Sequence, residues 1–360
     1  MKIIYLVRSR SAEEMESWGP LAREQARLGY EVRIYPWFQP KQLAPLLLQA
    51  PPAVLHLVGP PRFPLHRLSA LKSAHPFTLI LEAPGPEPGG FSQNLAARAG
   101  RRRGGPRLGQ VIAGGVARNR ADRLALEGVW GLAGSQILCL SPGVDASRFN
   151  FNPAGRRQWR ERLGLGGEAL CVQVGPLYSL AAARRILTAG RNLFQQGRAV
   201  LALSGENPAA LRQMLQAQAR QLGVLNRIKF LEKISPDDLP GLYSAADLGV
   251  GFETDLPAQA AAMACRLPVV PPAEHLLAWW RDPEPWSRRR PGEAGGLEST
   301  LTRLVAEPGL RQELGERLRR LIEAESDWPV QARRLCHWYR ELASAGAAPA
   351  AEPAREQLAA

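Results

Sequence analysis

The sequence predicts an α/β protein made of two successive doubly wound, Rossmann-like domains, on three observations. The chain has 360 residues, which at ~100–200 residues per domain suits two domains. Short apolar runs alternate with stretches of helical spacing, the pattern of a parallel sheet covered by helices on both faces. The series stops at about 150–160 and then begins again.

In order, Lys2–Val7 is an apolar run suited to a buried parallel strand. From Glu13 to Leu28 the apolar residues Met15, Trp18, Leu21, Ala22, Ala26 and Leu28 keep helical spacing, and Gly29 stops the helix as a C′ glycine. Glu31–Tyr35, Pro52–Val58 and Phe77–Leu81 read as strands. Residues 98–120 are Gly/Arg-rich and read as an exposed loop, Ile137–Leu140 is a last strand, and 150–160 (NFNPAGRRQWR) reads as a polar, turn-prone linker. A second series follows, with strands at 170–174, 199–203, 228–231, 247–252 and 267–270. Helices are expected at 181–196, 208–222, 236–245 and 257–265, then through 297–343. The domains so defined are 1–150 and 151–330, a terminal helix over 331–343 and a low-complexity, disordered tail over 344–360.

Composition narrows the function classes. A hydrophobic fraction of 45% with 22% charged residues excludes disorder as the main theme. No run approaches the ~18 apolar residues of a spanning helix. The five-residue run before Arg8 is too short for a signal-peptide core, so a cytoplasmic location is expected. Cys139, Cys171, Cys265 and Cys336 are scattered, without CxxC or histidines at ligand spacing. Buried free thiols are expected, with no disulfide, metal or cofactor. The net charge is +13, yet only five of the 46 basic residues are lysine. That arginine skew reads as a coding bias, although a basic chain still attracts phosphate-rich surfaces.

From 136 to 343 the motifs resemble, in sequence order, the family-4 glycosyltransferases that use nucleotide-sugar donors. Ser141-Pro142-Gly143-Val144-Asp145 with Phe149 and Pro153 is similar to the family's hinge, and Val174-Gly175 to the end of its first donor-domain strand. Leu203-Ser204-Gly205-Glu206 matches the next strand and turn. Gly223–Leu231 with Leu242–Asp247, Glu253, and Ala262–Val270 complete the series, and 326–340 resembles the terminal helix. The resemblance implies the GT-B fold, two doubly wound domains facing across a cleft with the last helix crossing back to the first. It also implies retaining transfer of a sugar to a glycan or lipid-linked acceptor.

The donor positions depart from the family. An Arg and a Lys that hold the diphosphate correspond here to Pro176 and Ala181, and the second of two glutamates to Ala261; the first is kept as Glu253. Each lost charge-assisted bond is worth roughly 1.5–3 kcal/mol, so two lost cations remove about 3–6 kcal/mol, or ~10²–10⁴ in affinity. Thr254-Asp255-Leu256-Pro257 replaces small glycines, and Asp255 reads as an N-cap occupying the N–H groups a phosphate would need. The histidine common after an N-terminal-domain strand gives way to Glu82-Ala83-Pro84. Donor-site candidates are Glu253, Gly175, Gly205 and the replacement cations Arg184, Arg185 and Arg266, the last expected to point into the cleft. No catalytic residue is assigned. His56, His66, His75 and His275 have no partner at catalytic spacing and read as surface or core filling; Trp279, Trp280 and Trp286 read as a sugar platform or as packing.

Arg101, Arg102, Arg103 and Arg107, with Arg98, Arg118 and Arg120, form a cluster with no acid before Asp122. Its two readings are a solvated loop and an acceptor-side contact with anionic lipid or glycan carrier at the inner membrane face, each residue contributing ~1 kcal/mol. Nucleic acid is not expected, since no recognition helix accompanies the charge. Three functions follow: a glycosyltransferase with a weakened or lost donor site; a non-catalytic subunit supporting an active glycosyltransferase partner in envelope-polysaccharide synthesis; and a peripheral module for anionic membrane or polymer.

Overall fold

The computed structural model describes residues 1–7, 18–36, 52–59, 72, 77–83, 111–118, 120–174, 180–204, 209–251, 256–270 and 296–347. The first sheet comprises β1 (Lys2–Val7), β2 (Glu31–Pro36), β3 (Val54–Val58), β4 (Thr78–Glu82), β5 (Gly114–Ala117) and β6 (Ile137–Cys139), with α1 (Gly19–Arg27) and α2 (Arg120–Gly128). All its strands are parallel in the order β2-β1-β3-β4-β5-β6. Ile3 to Val7 of the inner strand β1 are all buried, each such side chain worth roughly 1.5–3 kcal/mol. Pro20 sits in the first turn of α1, and Gly29 leaves that helix at φ +86°.

The second unit opens with α3 (Pro153–Arg162) and continues β7 (Ala169–Val174), α4 (Leu180–Ala189), α5 (Arg191–Gln195), β8 (Ala199–Leu203), α6 (Ala209–Gln221) and β9 (Ile228–Phe230). Then come α7 (Leu239–Ala245), β10 (Leu248–Gly251), α8 (Leu256–Ala264), β11 (Val269–Val270), α9 (Leu297–Ala306), α10 (Pro308–Glu325) and α11 (Trp328–Ala347). This sheet is also all parallel, in the order β11-β10-β7-β8-β9. The architecture is α/β and GT-B-like, with two doubly wound Rossmann-type sheets.

Four expectations from the sequence are corrected. The segment 150–160 is largely helix α3, not a linker. Asn152 caps it by accepting from Gly155 N at 2.9 Å, and Trp159 is buried in the second core. Inside the Gly/Arg-rich segment lies strand β5, whose glycines are forced by packing. A Cβ on Gly114 would stand 2.7 Å from Leu342 and Trp338 of α11, and one on Gly115 2.8 Å from Leu132 on the other face. The helix expected over 181–196 divides into α4 and α5 at Gly190. Cys139 is exposed, whereas burial pushes the thiols of Cys171 and Cys265 up to about 12 and that of Cys336 to about 11. In addition, α11 runs through Ser344 to Ala347, where the tail was expected to begin; 348–360 lie outside the described residues.

Helix α11 lies on the first sheet. Ala332, Leu335, Cys336, Trp338 and Tyr339 share one core with Ile3, Tyr5, Ile80 and Val116. The chain thus passes twice between the sheets, before α3 and before α11. The two passages meet in a bridge between Val144 and Asp327.

Candidate functional site

In doubly wound sheets, ligands bind beyond the carboxyl ends of the strands where the strand order reverses. In the second sheet that point lies between β7 and β10, whose last residues, Val174 and Gly251, are register partners. Helix α4 packs on one face of this sheet through Ala183, Ile186 and Leu187. On the other face, α8 packs through Ala260 to Cys265. Gly175, Gly205 and Glu253 follow the carboxyl ends of β7, β8 and β10 in sequence but lie outside the described residues, as do Pro176, Asp255 and the three tryptophans 279, 280 and 286.

The structure does not gather the three proposed cations. Arg184 is exposed on α4 and its Nε donates to Gln218 Oε1 of α6 at 2.9 Å. Arg185 is exposed and has no ion-pair partner among the described residues. Arg266 does not point to the helix start. It follows the carboxyl end of α8, roughly 15 Å along the axis from Leu256 at ~1.5 Å per residue. There it has φ 62° and pairs with Glu316 of α10 at 3.2 Å. Ala261, where the family has its second carboxylate, is 6% exposed within the core.

Sequence reasoning missed two buried glutamines beside this crevice. Gln173 is fully buried in β7, one residue before its carboxyl end at Val174. Gln259, on the second turn of α8, is 2% exposed and its Oε1 has no hydrogen-bond partner among the described residues. The legible signal was a polar residue within each apolar run.

At the carboxyl edge of the first sheet, a buried polar network occupies the face covered by α11. His56, read as core or surface filling, has partners after all. Its Nδ1 lies 2.5 Å from Tyr339 Oη and its Nε2 3.2 Å from Glu82 Oε2. Tyr339 Oη is 3.1 Å from Tyr5 Oη, which donates to Gln25 Oε1 at 3.0 Å. Arg118 belongs to the segment expected as an exposed patch, yet it is folded into this edge. Its Nε donates to Glu82 Oε1 at 2.7 Å and its Nη1 to Ser141 O at 3.0 Å. Arg101, Arg102, Arg103 and Arg107 lie outside the described residues.

Burial lowers the pKa of His56 despite Glu82 beside it, so the ring is neutral near pH 7. Burial alone would raise the pKa of Glu82, but Arg118 first and His56 second bring it below the ordinary carboxylate value. In the tautomer with its proton on Nε2, the neutral ring turns that N–H toward the carboxylate and Nδ1 accepts from Tyr339; the tautomer is assigned from these neighbours.

A cleft of about 770 Å³ opens at the opposite, amino edge of the second sheet, lined by Arg156, Arg160, Arg198, Arg311, Glu168 and Asp247 among others. Most of this charge is committed. Arg156 and Arg160 pair with Asp247 at 2.9 and 3.0 Å, Arg156 also bonds Ser244 O and Ala245 O at the end of α7, and Arg311 bonds Leu304 O and Val305 O of α9. These are cations at helix carboxyl ends, away from the switch point. Among the described residues no group of three His, Cys, Asp or Glu could hold a metal ion, and no helix is long and apolar enough to cross a membrane.

Fold and crevice together define a GT-B-type architecture, and the comparisons agree. No family model matches the chain. In sequence it is similar to the D-inositol 3-phosphate glycosyltransferase of Salinispora arenicola, 29% identical over 239 residues, 59% of this chain and 51% of that protein. The chain spans about half the length of that relative, or less for others it matches. In structure it is similar to a glycosyltransferase from Rickettsia africae (TM-score 0.70, 13% identity, 95% of this chain and 98% of that one). It is likewise similar to Anabaena Alr3699/HepE, solved with UDP (TM-score 0.70, 17% identity, 95% of this chain and 100% of that one). The resemblance to GT-B glycosyltransferases of the family-4 type therefore rests on both sequence and fold.

Proposed function

We propose that the protein is a family-4-type glycosyltransferase by descent, acting on a nucleotide sugar and a glycan or lipid-linked acceptor, whose donor site is weakened. The sequence relatives and the UDP-bound structural neighbour support the class. One observation carries the weakening: Arg184 and Arg266, two of the cations that could replace the missing ones, are engaged elsewhere. Arg184 is engaged with Gln218, and Arg266 with Glu316 at the far end of α8.

Calorimetry against a panel of nucleoside-diphosphate sugars tests this. The lost charge-assisted bonds put dissociation constants at high micromolar to millimolar or weaker. Restoring Pro176→Arg, Ala181→Lys and Ala261→Glu tightens binding if the crevice is otherwise intact. Micromolar binding by the parent protein would overturn the weakening. No binding by either form would favour a non-catalytic subunit.

A further inference from the structure

The two passages between the sheets are bonded to each other and, through one guanidinium, to the carboxyl edge of the first sheet. Val144 N donates to Ser326 O at 2.9 Å, Trp328 N to Val144 O at 3.1 Å, and Ala146 N to Asp327 Oδ1 at 3.1 Å. Gly143 admits the Trp328 ring, since a Cβ there would stand 2.0 Å from it. Ser141 Oγ donates to Glu325 O at 2.7 Å, and Gln331 Nε2 donates to both Ser141 Oγ (2.7 Å) and Glu325 O. Arg118 closes the circuit, with Nε on Glu82 and Nη1 on the carbonyl of Ser141.

Arg118 can serve both ends because its donors form a rigid planar fork. Glu82 Oε2 lies 3.2 Å from His56 Nε2 without hydrogen-bond geometry, and His56 is held by Tyr339 of α11. The side chain of Arg118 is 15% exposed and that of Glu82 4%, so solvent competes little for the pair. Strand ends β4 and β5, the first passage and the start of α11 are therefore one hydrogen-bonded unit.

We infer that Arg118 is a positioning residue that holds both passages in one geometry and so sets the relative orientation of the two sheets. This goes beyond the proposed activity and holds whether or not a nucleotide sugar binds. A lysine at 118 keeps a cation beside Glu82 but lacks the fork that also reaches Ser141 O. Gln331→Met removes the two Nε2 bonds between the passages without touching Arg118 or Glu82, while Ser141 Oγ stays on Glu325 O.

The test is a distance distribution by pulsed electron resonance between spin labels at Leu124→Cys on α2 and Met214→Cys on α6. Both positions are exposed, at 56% and 44%, and Cys139→Ser removes the exposed native thiol. The expected result is a single narrow distance in the parent, with broadening or a second distance in both Arg118→Lys and Gln331→Met. Distributions of parental width in folded variants, even with a lowered melting temperature, would make Arg118 a stabilising contact only and overturn the inference. If Arg118→Lys does not fold, Arg118→Gln, which keeps an amide donor for Glu82 but cannot also reach Ser141 O, decides by the same criterion.

Discussion

His56 and Glu82 stand on neighbouring strands with Nε2 and Oε2 3.2 Å apart, both sealed beneath the terminal helix. A histidine held neutral by burial makes stability depend on pH in a defined direction. Its pKa is lower folded than unfolded, so the unfolded chain binds the proton first as pH falls. The contribution is complete above the unfolded value of ~6.5 and declines below it. Glu82, also lowered, loses its contribution as pH falls below ~4.3 and onward through its folded pKa. Melting temperature measured from pH 8 to 5 is expected to fall on the acid side. His56→Asn, which can still accept from Tyr339, is expected to flatten that fall. An unchanged slope would remove His56 from the account.

Gly114 and Gly128 are expected to respond oppositely to a side chain. Gly114→Val drives methyls into Trp338 and Leu342, an overpacking cost of about 1–3 kcal/mol or more. At Gly128, the last residue of α2, a Cβ meets nothing within 4 Å. Gly128→Ala should therefore be neutral or stabilising by up to ~1 kcal/mol. Urea denaturation of the two variants checks both signs.

Asp247 serves Arg156, Arg160 and the amide of Leu170 together. Its side chain is 10% exposed. Asp247→Asn leaves two guanidinium groups without their counter-charge; because Arg156 is 32% exposed and both arginines line an open cleft, solvent screens the loss to about 1–3 kcal/mol. A denaturation midpoint equal to that of the parent would show that the carbonyl contacts of Arg156 and Arg160 suffice.

Gln259→Leu separates waste from function at the crevice. An unbonded buried amide oxygen costs about 1–3 kcal/mol, so leucine is expected to raise the melting temperature. If the amide serves a bound nucleotide sugar, calorimetric affinity falls in the same variant. Equal affinity would exclude Gln259 from the site.

The strands were legible because parallel strands buried on both faces read as continuous apolar runs, as in β1 and β8. Strand β5 was not, because Gly114 and Gly115 carry no hydrophobic signal; the reason for Gly114 lies in Trp338 and Leu342, more than 200 positions away, and that for Gly115 in Leu126 and Leu132 on the other face. In α3 the Asn152 cap and Pro153 were present, but the polar composition around them suggested a linker. The partner of His56 stands 283 residues along the chain, beyond any local pattern. Likewise, the sequence shows that Arg118 is an arginine near other arginines, but not that Glu82 and the Ser141 carbonyl enclose it.

Because α11 supplies five of the 13 buried residues of the core on one face of the first sheet, order of synthesis and order of folding must differ. When β1 to β6 have left the ribosome, Ile3, Tyr5, Ile80 and Val116 have Leu21 and Trp18 beside them but still lack the five buried side chains of α11. The second sheet is translated entirely before residues 328–347 arrive to cover the first. A nascent chain in that interval exposes a sticky face for the time needed to make nearly 200 residues, on the order of 10–40 s at ~5–20 residues per second. The first sheet to be made is thus the last to be finished.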